Sequence, residues 1–123
     1  MITFDNFTPD ADSPIYLQIV RHIKRGIASG TVINGDELPS RRVLSALLGV
    51  NPNTVQKAYA ILEGERLIES HTGAKSYVRI SSETVTEVRA GLLESDATAI
   101  VSALKQMGLS KKDALSLIEK YWD

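Results

Sequence analysis

The chain has 123 residues, 43% hydrophobic and 24% charged, with a formal net charge of −1; that length fits one compact core with a short extension and excludes two large ones. It has no cysteine, which excludes disulfides, thiolate metal sites and cysteine nucleophiles together and fits a reducing compartment. The polar, acidic opening MITFDNFTPDADSP and the lack of any apolar run near the roughly 20 residues a bilayer requires predict a soluble, cytoplasmic protein with neither signal peptide nor membrane span.

The charge is unevenly placed. Residues 15–79 carry nine Lys/Arg against five Asp/Glu, a net +4, whereas residues 1–14 contribute −3 and residues 80–123 contribute −2. A basic middle between acidic ends points an anion-binding face at the middle segment.

In chain order, Ser13-Pro14 reads as an N-cap followed by proline at the first helical position. Ile15, Ile19, Ile23 and Ile27 then recur every four residues up to Gly30, predicting a first helix. Thr31 to Pro39, with Gly35 and Asp36, reads as a loop. Ser40 caps a short second helix bearing Val43, Leu44, Leu47 and Leu48 and stopped by Gly49; Asn51-Pro52 opens a third with Val55, Ala58, Tyr59 and Leu62 on one face. Two helices joined by so tight a turn cross steeply, as in a helix-turn-helix. Leu67-Ile68-Glu69-Ser70 and Ser76-Tyr77-Val78-Arg79-Ile80, separated by residues 71–75, predict a β-hairpin, the wing.

Beyond Ser82, Val85, Val88, Leu92, Leu93, Ala97, Ile100, Leu104 and Met107 predict a long helix ended by Gly108, with Gly91 and Ser95-Asp96 leaving a kink or break open. Ser110 and Asp113 suit the start of a last short helix carrying Ala114, Leu115, Leu117, Ile118 and Trp122. The expected fold is mainly α with a small β-hairpin. A winged helix-turn-helix over residues 1–80 is followed by a two-helix dimerisation region over residues 81–123.

Leu38-Pro39-Ser40 with Arg42 and Leu44, Leu48 to Val55, Ala58-Tyr59, Leu62-Glu63 and Leu67-Ile68 together resemble the GntR family of bacterial regulators. The short tail is similar to the family's YtrA-like subfamily. The resemblance implies a sequence-specific transcriptional regulator, a repressor that binds a palindromic operator on double-stranded DNA as a homodimer, near transporter genes. Carried over by position, Ser40, Arg41, Arg42, Asn51, Asn53, Thr54, Gln56, Lys57, Thr72, Gly73 and Lys75 are the DNA-facing set. Arg42 goes to a phosphate or guanine edge, Thr54 and Lys57 to the backbone, Asn51, Asn53 and Gln56 to the groove, and Gly73 to the wing tip. Pro52 stands where many members place a guanine-reading arginine, Arg66 where a glycine commonly precedes the first wing strand, and Lys75 where a second wing glycine stands. By the same resemblance Val88, Leu92, Leu93, Ile100, Leu104, Met107, Leu115, Ile118 and Trp122 form the dimer interface.

Tyr59 and Trp122 read as core or interface aromatics. His22 and His71 are isolated and no carboxylate pair has a partner nucleophile, so no metal, no cofactor and no catalytic constellation is expected. A small-molecule effector, if used, falls to the dimer interface or the domain junction. A winged helix used for protein docking is the alternative reading, and the basic segment and capped recognition helix weigh against it. Tyr121-Trp122 in a terminal helix, with no linker, weighs against the DNA-binding half of a longer fused regulator.

Overall fold

The computed structural model describes residues 2–72 and 75–123. It contains α1 (Ile15–Ser29), β1 (Glu37–Leu38), α2 (Arg41–Leu48), α3 (Pro52–Gly64), β2 (Ile68–His71), β3 (Lys75–Val78), α4 (Ser82–Gln106) and α5 (Lys111–Trp122). The chain separates into two compact units, Met1–Arg89 and Ala90–Asp123. Among the described residues no helix is long and apolar enough to cross a membrane.

The four-residue isoleucine stride of α1 buries Ile19, Ile23 and Ile27 completely, each contributing roughly 1.5–3 kcal/mol. The helix starts differently from expectation. Pro14 is its N-cap and has no side-chain acceptor to cap it, while Gln18 ties down the preceding loop. The Gln18 amide donates to the carbonyls of Ser13 (2.7 Å) and Asp10 (3.0 Å) and accepts from the Asp10 amide (2.9 Å). Near the other end, Val32 packs against Gly26 so closely that a Cβ there would overlap the valine side chain, and the Val32 amide bonds the Gly26 carbonyl at 3.0 Å.

The segment expected to be wholly loop contains β1, and the hairpin is therefore part of a three-stranded antiparallel sheet in the order β1-β3-β2. Its register pairs Glu37 with Tyr77 and Leu38 with Ser76, then Ile68 with Val78 and His71 with Lys75. A two-residue strand between Gly35 and Pro39 has no local signature; it is specified by its partner, with Gly35 and Asp36 exchanging 2.8 Å bonds with Val78. The opening residues join in as well. Ile2 donates to the Glu37 carbonyl at 2.9 Å, and Ile2 and Phe4 are buried in the core, although the segment as a whole is polar.

α1 and α3 pack on one another, α2 packs on α3, and Leu38, Leu44, Val55, Leu62 and Val78 complete a fully closed interior. Leu48 and Val50 lie partly buried at its margin. Val43 and Leu47 are exposed, since an eight-residue helix covered on one side buries little beyond Leu44 and Ser45.

In the second unit, α4 runs as one helix through Gly91 and Ser95-Asp96. One glycine costs about 1 kcal/mol in a helix interior, too little to break a 25-residue helix. Gly108 (φ 80°) ends the approach to α5, and Ser110 caps α5 by accepting from the Asp113 amide at 3.2 Å. No residue of α4 or α5 is buried.

Candidate nucleic-acid interface

Three residues separate α2 from α3, and each has a defined task. Gly49 takes the left-handed conformation (φ 67°) that a side chain would strain, and its amide and that of Val50 close the end of α2 on the Ser45 carbonyl. Asn51 caps α3 by accepting from the Asn53 amide at 2.8 Å, with Pro52 as the first helical residue. At the head of α2, the Ser40 hydroxyl accepts from the Val43 amide at 3.1 Å. Both helices therefore begin with amides not used by an intrahelical bond, the polarity that favours phosphate oxygens.

The 3.6-residue repeat divides α3 cleanly. Val55, Ala58, Tyr59 and Leu62 are buried, whereas Asn53, Gln56 and Lys57 are exposed at spacings of three and four on the other side. Thr54 is half-buried, its amide donating to the Asn51 carbonyl at 2.9 Å.

The adjacent arginines of α2 differ. Arg42 is exposed. Arg41 is half-buried with its guanidinium carbon 5.2 Å from the centroid of the Tyr59 ring, and its Nε is buried without a hydrogen-bond partner. Tyr59 is a core aromatic, as expected, and its fully buried hydroxyl donates to the Pro39 carbonyl at 2.6 Å. Burial drives the Tyr59 pKa well above the ordinary tyrosine value, opposed in part by the charge of Arg41. Across α3, the Lys57 ammonium lies 4.0 Å above the Tyr16 ring. Neither aromatic contact has a sequence signal, because the partners are distant in the chain and the pairing requires the packed fold.

On the hairpin, Thr72 and Lys75 are exposed, and Gly73 lies outside the described residues. Glu69 bonds the Arg79 Nε at 2.6 Å and lies 3.9 Å from His71, whose ring meets Tyr77 edge-on at 5.0 Å. The hydrogen bond and charge of Arg79 hold the Glu69 carboxyl below its usual range. Arg66 has φ 62°, so an arginine occupies the left-handed position just ahead of β2. His22 is held among aromatic side chains. Its ring stacks on Phe4 at 4.5 Å, meets Phe7 edge-on at 5.5 Å, and bonds the Thr3 carbonyl through Nε2 at 2.9 Å. Among the described residues no group of three or more His, Asp or Glu side chains could hold a metal ion.

The residues expected at a dimer interface fall into two sets. Val88 packs against the core of the first unit. In the second unit Leu92 and Leu104 are half-buried, whereas Leu93, Ile100, Met107, Leu115, Ile118 and Trp122 are exposed, Leu93 by 58% and Trp122 by 80%. A groove of about 380 Å³ between α4 and α5 is lined by Ile100, Leu104, Leu109, Ala114, Leu115 and Ile118, among others.

Residues 15–78 match the family of bacterial regulatory proteins named gntR. The chain is similar to the HTH-type transcriptional regulator YhcF of Bacillus subtilis, with 31% identity covering 90% of this chain and 92% of that one. It is also similar to the HTH-type transcriptional repressor YtrA of the same organism, with 38% identity covering 80% and 72%. A GntR family transcriptional regulator from Listeria monocytogenes superposes with a TM-score of 0.78 at 31% identity, covering 91% of this chain and 98% of that one. A capped helix pair whose second helix exposes Asn53, Gln56 and Lys57, a three-stranded wing sheet and these matches lead to one conclusion: the chain belongs to the GntR family and is a YtrA-like, DNA-binding transcriptional regulator.

Proposed function

We propose that the chain is a cytoplasmic repressor that binds a palindromic operator as a homodimer and controls an operon encoding a transporter. In this reading residues 1–80 read DNA and residues 81–123 join the protomers. The observation that carries it is the division of α3, which exposes Asn53, Gln56 and Lys57 directly after a capped N-terminus while the opposite face fills the core. Asn53 and Gln56 carry amides suited to adenine edges, Arg42 reaches a phosphate or a guanine edge, and Lys57, Thr54, Thr72 and Lys75 supply backbone contacts. Arg41 acts closer to the protein, held on Tyr59. Gly73 keeps its proposed role at the wing tip. The apolar second unit, with no buried residue in α5 and an open groove, supports association of two copies. A small-molecule effector would act by shifting that dimer's fit to the operator.

The test is binding of the purified chain to labelled DNA from upstream of its own gene, against shuffled competitor, across a salt series. Specific binding with a steep salt slope is expected. Arg42→Ala should weaken it by about 1–3 kcal/mol if the contact is bidentate to guanine, and less if it is to phosphate. Sedimentation should show a dimer that Ile118→Asp converts to monomer; a wild-type monomer at micromolar concentration would overturn the homodimer.

A further inference from the structure

We propose that Tyr16 is a positioning residue for DNA binding, holding the Lys57 ammonium in place for a phosphate of the duplex; this rests on the DNA-binding reading above. The Lys57 nitrogen lies 4.0 Å from the centroid of the Tyr16 ring, close enough for a direct cation–π contact. Tyr16 belongs to the first turn of α1 and is partly buried against the core, so its ring is a fixed platform. Lys57 belongs to α3 and is exposed, four residues after Asn53 and next to Gln56. It therefore lies on the same outer side of the helix as the amides proposed to read bases.

An exposed lysine carries its charge on a flexible four-carbon stem, and ordering that stem opposes any contact it makes. A ring beneath one side of the ammonium confines the stem before DNA arrives and leaves the remaining N–H donors for a phosphate oxygen. Association then orders less of the side chain. Tyr16 itself touches no DNA in this account; it acts through Lys57.

Phosphate contacts are independent of sequence, so a mixed-sequence duplex of about 30 base pairs is a sufficient probe. Binding of the full chain is measured by fluorescence anisotropy across a salt series for wild type, Tyr16→Phe, Tyr16→Leu, Lys57→Met and the Tyr16→Leu/Lys57→Met double variant. Lys57→Met should lower the slope of log K against log salt by about 0.9. Tyr16→Leu should weaken binding about two- to fivefold beside Lys57 and have no effect beside Met at position 57. Tyr16→Phe, which keeps the ring, should bind as wild type.

If the effects of Tyr16→Leu and Lys57→Met simply multiply, or if Tyr16→Phe binds as weakly as Tyr16→Leu, the positioning role is overturned while the DNA-binding reading stands. A folded wild-type chain with no salt-dependent affinity for the duplex overturns both. Should Tyr16→Leu fail to fold, the wild type alone decides. An upfield ring-current shift of the Lys57 side-chain methylene protons, retained in Tyr16→Phe, supports the contact, and unshifted protons overturn it.

Discussion

Residues 1–89 and residues 90–123 are both rich in helix, yet only the first unit has an interior. In it α1 and α2 both pack on α3, and α3 packs on β2 of the wing sheet, leaving Ile23, Leu62 and Tyr59 with no exposed surface. The second unit is helical by propensity and capping, with Ser110 and Gly108 in place, but its large apolar side chains stay open, Met107 by 69% and Trp122 by 80%. Helix formation and core formation are thus separate achievements, and a sequence can complete the first without the second.

The contrast is sharpest under truncation. Leu62→Ala should cost about 2–5 kcal/mol in urea unfolding, equally at every protein concentration. Leu93→Ala should cost less, and its cost should depend on concentration, since the stability it removes would come from association. A large, concentration-independent loss for Leu93→Ala would erase the distinction between the units.

Tyr59→Phe probes the first unit more finely. It keeps the ring and removes the bond to the Pro39 carbonyl, leaving a buried acceptor unpaired at a cost of about 1–3 kcal/mol. It should also change the alkaline limb of a pH–stability curve. Because the folded Tyr59 pKa is raised, the unfolded chain ionises first. The stability Tyr59 contributes is therefore full below the ordinary tyrosine pKa and is lost as pH rises above it. The phenylalanine variant should lose less stability over that interval.

The smallest effect reverses sign between the units. Gly91→Ala enters open space in the middle of α4 and should stabilise the helix by about 1 kcal/mol. Gly26→Ala gains the same propensity but drives a methyl group into Val32, so thermal unfolding should show a net loss. Two gains of equal size would mean that the Val32 loop yields freely.

Most of the architecture was legible because it is written in local signals: the isoleucine stride of α1, the cap at Ser40, and Asn51-Pro52 at the head of α3. What was not legible depends on residues far apart in the chain. β1 exists because β3 pairs with it, Phe4 joins a core built from distant segments and stacks on His22, and Arg41 differs from Arg42 in having Tyr59 beneath it. Arg66 was marked as an odd residue where the family commonly has glycine, and its φ of 62° supplies the physical meaning: a left-handed position held by a side chain, at a cost of about 1–2 kcal/mol. The set expected to face DNA was placed by resemblance, and the fold brings Asn53, Gln56 and Lys57 onto one exposed side of α3 while Thr54 is half-buried.

Pro52 is exposed and sits at the one helical position where proline costs nothing, behind a cap that works through Asn51 alone. The fold therefore has no stake in its identity, and an arginine could replace it without disturbing the core. Every proline codon becomes an arginine codon by one change at its second base. One base change could therefore put a long cationic side chain at the exposed head of α3, the surface proposed to face DNA, with no cost to folding, so a duplicated copy could alter that surface before accumulating any other change.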